Sequence, residues 1–274
     1  MSISEMTYWE RILYILEQYG SSFLRGAGTT MVIAILGTLV GCVIGFAVGV
    51  VQTIPVSKND PRLRRGLLRV VRFLLGVYVE VFRGTPMMIQ AVFIYYGTAQ
   101  IFDVHLNTWI AALIVVSINT GAYMAETVRG GVISIDPGQT EGAKAIGMTH
   151  LQTMVYVVFP QTLRNIMPQI GNNLIINIKD TCVLSIISTV ELFFTFKGVA
   201  GAIYTYFEAA TITMAIYFVL TFTCSRLLRW LEGKMDGPVN YDLATTDTLA
   251  HTSGMYTHPN VYRTQHTSSE EGGR

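Results

Sequence analysis

Charge is scarce in this chain of 274 residues: Asp, Glu, Lys and Arg make up 14% of it, against about 25% in soluble domains. Apolar residues reach 51% and the mean hydropathy is +0.43, which excludes an ordinary soluble domain. The formal net charge is only +1, and the basic residues are divided among loops, so no nucleic-acid surface is expected. Cysteine is nearly absent. Cys42, Cys182 and Cys224 all fall in apolar runs and suit buried thiols better than a disulfide framework. His251, His258 and His266 are spaced too irregularly to hold a metal. No G-x-x-x-x-G-K-[ST] run occurs, and Gly233-Lys234 lacks its glycine spacing and hydroxyl, so no nucleotide cofactor is expected in this chain. The first twenty residues are acidic and amphipathic, without the basic start and cleavage site of a secretory leader, and are expected to be retained.

What is present is a set of long apolar blocks, which predicts an all-α polytopic membrane protein. Residues 1–28 carry Tyr8, Ile12, Leu13 and Leu16 at helical spacing among charges and read as an interfacial helix. Five blocks are then long enough to cross a bilayer: Thr29 to Ile54, Phe73 to Gly97, Thr108 to Val128, about Met167 to Val190, and about Ala210 to Leu228. They make residues 29–235 a transmembrane domain. The stretch between the last two, ELFFTFKGVAGAIYTYFEA, suits an interfacial helix. Residues 236–274 read as a disordered cytoplasmic tail. Gly37, Gly41, Gly45 and Gly49 form one smooth helical face for close packing. Lys58, Arg62, Arg64, Arg65, Arg69 and Arg72 crowd the loop after the first block. The basic-residue bias therefore sets the N-terminus outside, the C-terminus inside and the Glu141 loop in the cytoplasm.

Two polar features interrupt the apolar pattern. On the fourth block Gln169, Asn173, Asn177, Asp180 or Thr181, and Ser185 recur every three or four residues and make a polar stripe. On the second block Glu80, Arg83, Met87 and Gln90 align if Pro86 bends the helix little. A membrane-embedded charge must face protein or water, and together these sets supply the donors and carboxylates that a zwitterionic amino acid requires. The bland alternatives stay open: Glu80 and Arg83 as an intrahelical pair, and Asn173 and Asn177 as interhelical hydrogen-bonding groups. Asp180 is the strongest single candidate.

The other feature is EGAKAIGMTHLQTMVYVVFPQ, from Glu141 to Gln161, which reads as a short helix ending or bending at Gly147, with Pro160 preventing simple continuation into the next block. Its spacing resembles the EAA loop of ABC-importer permeases, with Gly142, Val157 and Phe159 replacing the usual Ala, Ile and Leu. The run YVEVFRGTPMMIQ, with Tyr78, Glu80, Arg83, Gly84, Thr85, Pro86 and Gln90, is similar to the polar amino acid subfamily. So are Tyr123, Glu126, Arg129, Gly130 and Gly131, then Gly138, Gln139 and Glu141, and finally Lys179, Asp180 and Thr181. Cys182 and Val183 depart from the family's Ser and Leu.

This resemblance implies a permease subunit, without ATPase activity, in a bacterial inner membrane. It implies two ATP-binding subunits that carry ATP and Mg, a second permease subunit and an extracytoplasmic amino-acid-binding protein. Substrate-binding candidates are then Glu80, Arg83, Gln90, Asn173, Asn177, Asp180 and Thr181. Coupling candidates are Gln139, Glu141, Ala143, Gly147 and Pro160. An ion-coupled secondary transporter and a membrane scaffold are the competing classes, although the paired repeats of the former are not found.

Overall fold

The computed structural model describes residues 5–55 and 61–235, and among these every regular element is helical. In chain order they are α1 (Tyr8–Thr53), α2 (Arg62–Gly84), α3 (Met87–Phe102), α4 (Thr108–Ile133), α5 (Pro137–Ala145), α6 (His150–Thr153), α7 (Phe159–Asp180), α8 (Leu192–Ile203) and α9 (Tyr206–Met235). A π turn, Met154–Val158, joins α6 to α7, and a 3-10 segment, Thr181–Ile187, follows α7. Among the described residues three helices are long and apolar enough to cross a membrane: α1, α4 and Tyr206–Lys234. The run His150–Ile187 meets the same test when joined to α8 across a 55° bend. The tail from 236 onward lies outside the described residues.

The first helix does not divide where composition changes. It runs without a break through residue 28, because the apolar side of its N-terminal half is buried: Ile15, Phe23 and Ala27 pack with Leu192, Phe196 and Val199 of α8 and with Ala209 and Ile212 of α9. Polar contacts close the same junction. Arg11 pairs with Glu208 at 3.0 Å, and the hydroxyls of Tyr8 and Thr211 are 2.8 Å apart.

The second half of α1 lies against α4, which places α4 at the centre of the fold. The glycine stripe makes this possible. A Cβ at Gly41 would stand 3.0 Å from the Ser117 carbonyl, and one at Gly49 would stand 2.8 Å from the Ala125 carbonyl. The expected packing role of the stripe is thus seen as direct backbone approach between these two helices.

The second apolar block is split. Pro86 has no N–H and biases its neighbour away from helical geometry, so α2 ends at Gly84, Thr85 is extended (φ −121°, ψ 147°) and α3 starts at Met87. The fourth block is also not one α-helix. It tightens after Asp180, and Ser188, with φ of 61°, ends the 3-10 turn before the buried Glu191 carboxylate caps α8 by accepting from the Phe193 and Phe194 amides at 2.8 and 2.6 Å. Tyr204, also at positive φ, then makes the corner into α9.

Candidate functional site

The break between α2 and α3 opens onto α4 and α7, and these elements enclose a cleft of about 380 Å³. Thr85, Pro86 and Met87 come from the break, Asn119, Thr120 and Tyr123 from α4, and Gln169, Asn173, Asn177 and Asp180 from α7. Its size lies within the roughly 300–1,000 Å³ of small-molecule sites. Asp180 is the last residue of α7, exposed, and among the described residues its carboxylate makes no hydrogen bond or ion pair. The cleft therefore presents one unspent anion among amides and hydroxyls.

The asparagines line this cleft and also hold helices together. Asn177 donates from one Nδ2 to Thr38 Oγ1 at 2.7 Å and to Thr120 Oγ1 at 2.9 Å, linking α7 to α1 and α4. Asn173 donates to the Gln169 carbonyl and to Met124 Sδ, both at 3.1 Å.

Four members of the expected set, Glu80, Arg83, Gln90 and Thr181, lie outside the lining of this cleft. Gln90 does not line the cleft. Its Nε2 donates to the Phe82 and Thr85 carbonyls, both at 2.9 Å, while its Oε1 accepts from Asn119 at 3.0 Å. It thus supplies donors to carbonyls beside the Pro86 break, where unmet backbone groups would be costly in a membrane. Thr181 is fully buried and donates to the Ile178 carbonyl at 3.0 Å, so its hydroxyl serves the α-to-3-10 transition. Glu80 and Arg83 are not brought together with Asp180, because Thr85–Pro86 interrupts the face that would have aligned them.

Glu80 and Arg83 line a second cleft of about 370 Å³ with Arg72, Gln52, Glu126 and Arg129. The intrahelical Glu80–Arg83 pair left open as an alternative does not form; Arg83 makes a contact across helices, to Glu126 at 4.0 Å. Glu126 is held more closely by Arg129, one turn further along α4, which donates from Nε and Nη2 to its two carboxylate oxygens. Arg83 also lies 5.7 Å from the centre of the Tyr123 ring, which borders the first cleft. The two clefts are therefore adjacent along α4.

Beyond Arg129, α4 leads through three residues into α5. Asp136 caps α5 by accepting from the Gly138 amide at 2.7 Å, and Pro137 occupies the first turn, where no N–H is needed. At the other end Gly147 adopts φ of 86° and donates to the Lys144 carbonyl at 3.0 Å, while Met148 donates to Ala143 at 3.1 Å. These paired bonds are a Schellman closure, in which glycine is the residue with least steric cost. Thr149 and Gln152 then form a capping box that starts α6. Ala143 is buried under this turn, whereas Glu141 and Lys144 are exposed, as are Ile146, Leu151 and Tyr156. Gln161 Nε2 donates to Gln139 Oε1 at 3.3 Å and ties α7 back to α5.

Pro160 does not stop the helix, contrary to the expectation for it. The π turn accommodates it, with the Phe159 amide reaching the Met154 carbonyl five residues back, so α6 passes into α7 without a gap. Helix-breaking propensity is absorbed by a local change of winding.

Residues 63–237 match the family described as binding-protein-dependent transport system inner membrane component. The chain belongs to that family. The glutamine transport system permease protein GlnP of Escherichia coli (strain K12) is 33% identical to this permease over 213 residues, covering 77% of this chain and 92% of the relative. The nopaline transport system permease protein NocM of Agrobacterium fabrum is 32% identical over 230 residues, covering 81% and 90%. Among solved structures, the crystal structure of an amino acid ABC transporter with histidines is 32% identical, with a TM-score of 0.71 over 81% of this chain and 98% of that one. An inward-facing MetNI methionine ABC transporter, at 21% identity and a TM-score of 0.58, shares the fold. This permease is therefore the membrane component of a binding-protein-dependent transport system, as its motifs led one to expect.

Sequence reasoning passed over Asn119 and Thr120 of the permease. The only signal was a polar pair within an otherwise apolar block. Their importance depends on which faces of α4 meet Gln90 and Asn177, which a single helix does not reveal.

Proposed function

We propose that this chain is the permease subunit of an ATP-driven importer for a polar amino acid, with the cleft ending at Asp180 as its substrate site. The observation that carries this reading is the convergence of a broken helix, amides and one unspent carboxylate on a cleft inside a member of this family. A membrane-embedded polar cleft beside irregular backbone suits a transported solute. The substrate class is supported by the glutamine and nopaline permeases among its relatives and by the amino acid transporter among its structural neighbours. In this reading Asp180 receives the substrate ammonium, and Asn119, Asn173 and Gln169 orient the remainder.

The chain crosses the membrane five times. α1 makes the first crossing; α2 with α3 makes a broken second; α4 makes the third; α7 with the 3-10 segment makes the fourth; and α9 makes the fifth. The N-terminus is outside, and α5, the Gly147 turn and α6 form a cytoplasmic coupling element. Exposed Ile146, Leu151 and Tyr156 beside Glu141 and Lys144 support docking of a separate ATPase there. Residues 1–28 remain an outer segment and 236–274 an inner tail. The working assembly has two ATPase subunits, which carry ATP and Mg, a second permease subunit and an extracytoplasmic amino-acid-binding protein. Rigid-body movement of the permeases, driven from α5, alternates access to the cleft.

Reconstituted uptake tests this reading. Proteoliposomes holding the complex should accumulate radiolabelled glutamine when supplied with the binding protein and ATP, with no need for an ion gradient. Uptake that follows a proton or sodium gradient and ignores ATP contradicts it.

A further inference from the structure

The second cleft, between the C-terminal end of α1, α2 and α4, has a charge pattern that its structural ion pairs do not consume. Glu126 is engaged by Arg129 and Arg83. Arg72 and Glu80, in contrast, make no hydrogen bond or ion pair among the described residues, and Arg72 Nε is buried with no hydrogen-bond partner. They stand eight residues apart on one face of α2, about 12 Å along its axis. Between them lies Gly76, which also lines the cleft and has open space above its Cα. The cleft thus offers a cation and an anion separated by a gap that no side chain fills.

An unspent guanidinium and an unspent carboxylate on one cleft complement a zwitterion, not a simple anion, because Glu80 would repel a free phosphate. We infer that this cleft is a second amino-acid station, in which Arg72 receives the carboxylate and Glu80 the ammonium of a solute leaving the Asp180 cleft. This inference rests on the proposed import of amino acids. Two observations favour a transported solute over the other zwitterion available in a membrane, the phosphatidylethanolamine headgroup. The clefts meet along α4, and Arg83 stands between them, with its guanidinium near the Tyr123 ring on one side and Glu126 on the other. In the proposed orientation the second cleft also lies toward the basic loop, on the side of release.

The test is equilibrium binding of radiolabelled glutamine to the complete complex in phosphatidylcholine nanodiscs, without nucleotide. The wild type should show two saturable classes per permease chain. Glu80→Gln and Arg72→Gln should each weaken one class about ten- to a hundred-fold, the effect of losing a charge-assisted contact. Asp180→Asn should weaken the other class. Gly76→Leu fills the gap without changing any charge, and should remove the same class as Glu80→Gln while leaving the complex assembled. A single class in the wild type, or two classes indifferent to Glu80→Gln and Gly76→Leu, overturns the second station. So does loss of one class when phosphatidylethanolamine is included, since the headgroup is then the better occupant. In these cases ATP-driven uptake and its response to Asp180→Asn still stand, so the two readings fail separately.

Discussion

Gly147 donates its amide to the Lys144 carbonyl at 3.0 Å while holding φ at 86°, and this bond fixes the angle at which α5 gives way to α6. A residue with a Cβ in left-handed geometry costs about 1–2 kcal/mol, with asparagine tolerated better than most.

Substitutions at Gly147 should therefore rank by backbone preference. ATP-coupled uptake should fall in the order Gly, Asn, Ala, Pro, with Gly147→Pro inactive because proline does not reach positive φ. Membrane insertion, read by protease protection and expression level, should be unchanged throughout the series. Equal uptake across it would remove the turn from the coupling pathway.

The α1–α4 contact makes a stability prediction. A Cβ at Gly45 would meet the Ala125 amide nitrogen at 2.8 Å and the Gly121 carbonyl at 2.9 Å, and backbone atoms yield little. Gly45→Ala should destabilise the protein by about 1–3 kcal/mol. Gly28→Ala, on the same helix with nothing near its Cα, should be neutral. Thermal unfolding in detergent compares the two, and equal midpoints would show that the helices are not in backbone contact there.

Topology can be read from two exposed positions. In a background with Cys42, Cys182 and Cys224 replaced by serine, Tyr204→Cys at the α8–α9 corner should react with an impermeant thiol reagent on intact cells. Ile146→Cys, beside Gly147, should react only after permeabilisation. These residues are 92% and 80% exposed, so access to the thiol is not limiting. The reverse labelling pattern would invert the proposed orientation.

Features written in short-range spacing were legible before the fold was known. The glycine stripe and the turn at Gly147 each follow from residues a few positions apart, because helix periodicity or a single special backbone angle defines them, whereas the second block read as one span and Pro86 in fact divides it. The polar stripe on α7 likewise placed Asn173, Asn177 and Asp180 on one cleft. What was not legible depended on distant partners. Arg83 turns to Glu126 on another helix instead of to Glu80 one turn away, and Gln90 is used by the carbonyls beside the break. The division of the charged residues into two clefts follows from the same break. A π turn at Met154–Val158 was equally hidden, since the composition around Pro160 announces a helix end, whereas packing favours continuation.

The most direct measurement is the apparent KM for glutamine in ATP-driven uptake by proteoliposomes containing Asp180→Asn, which keeps the size of the side chain and removes its charge. Loss of one charge-assisted bond to the ammonium costs about 1.5–3 kcal/mol, so KM should rise roughly ten- to a hundred-fold. Complex assembly and ATPase activity without substrate should match wild type. An unchanged KM in a fully assembled Asp180→Asn complex would contradict the assignment of this cleft as the substrate site.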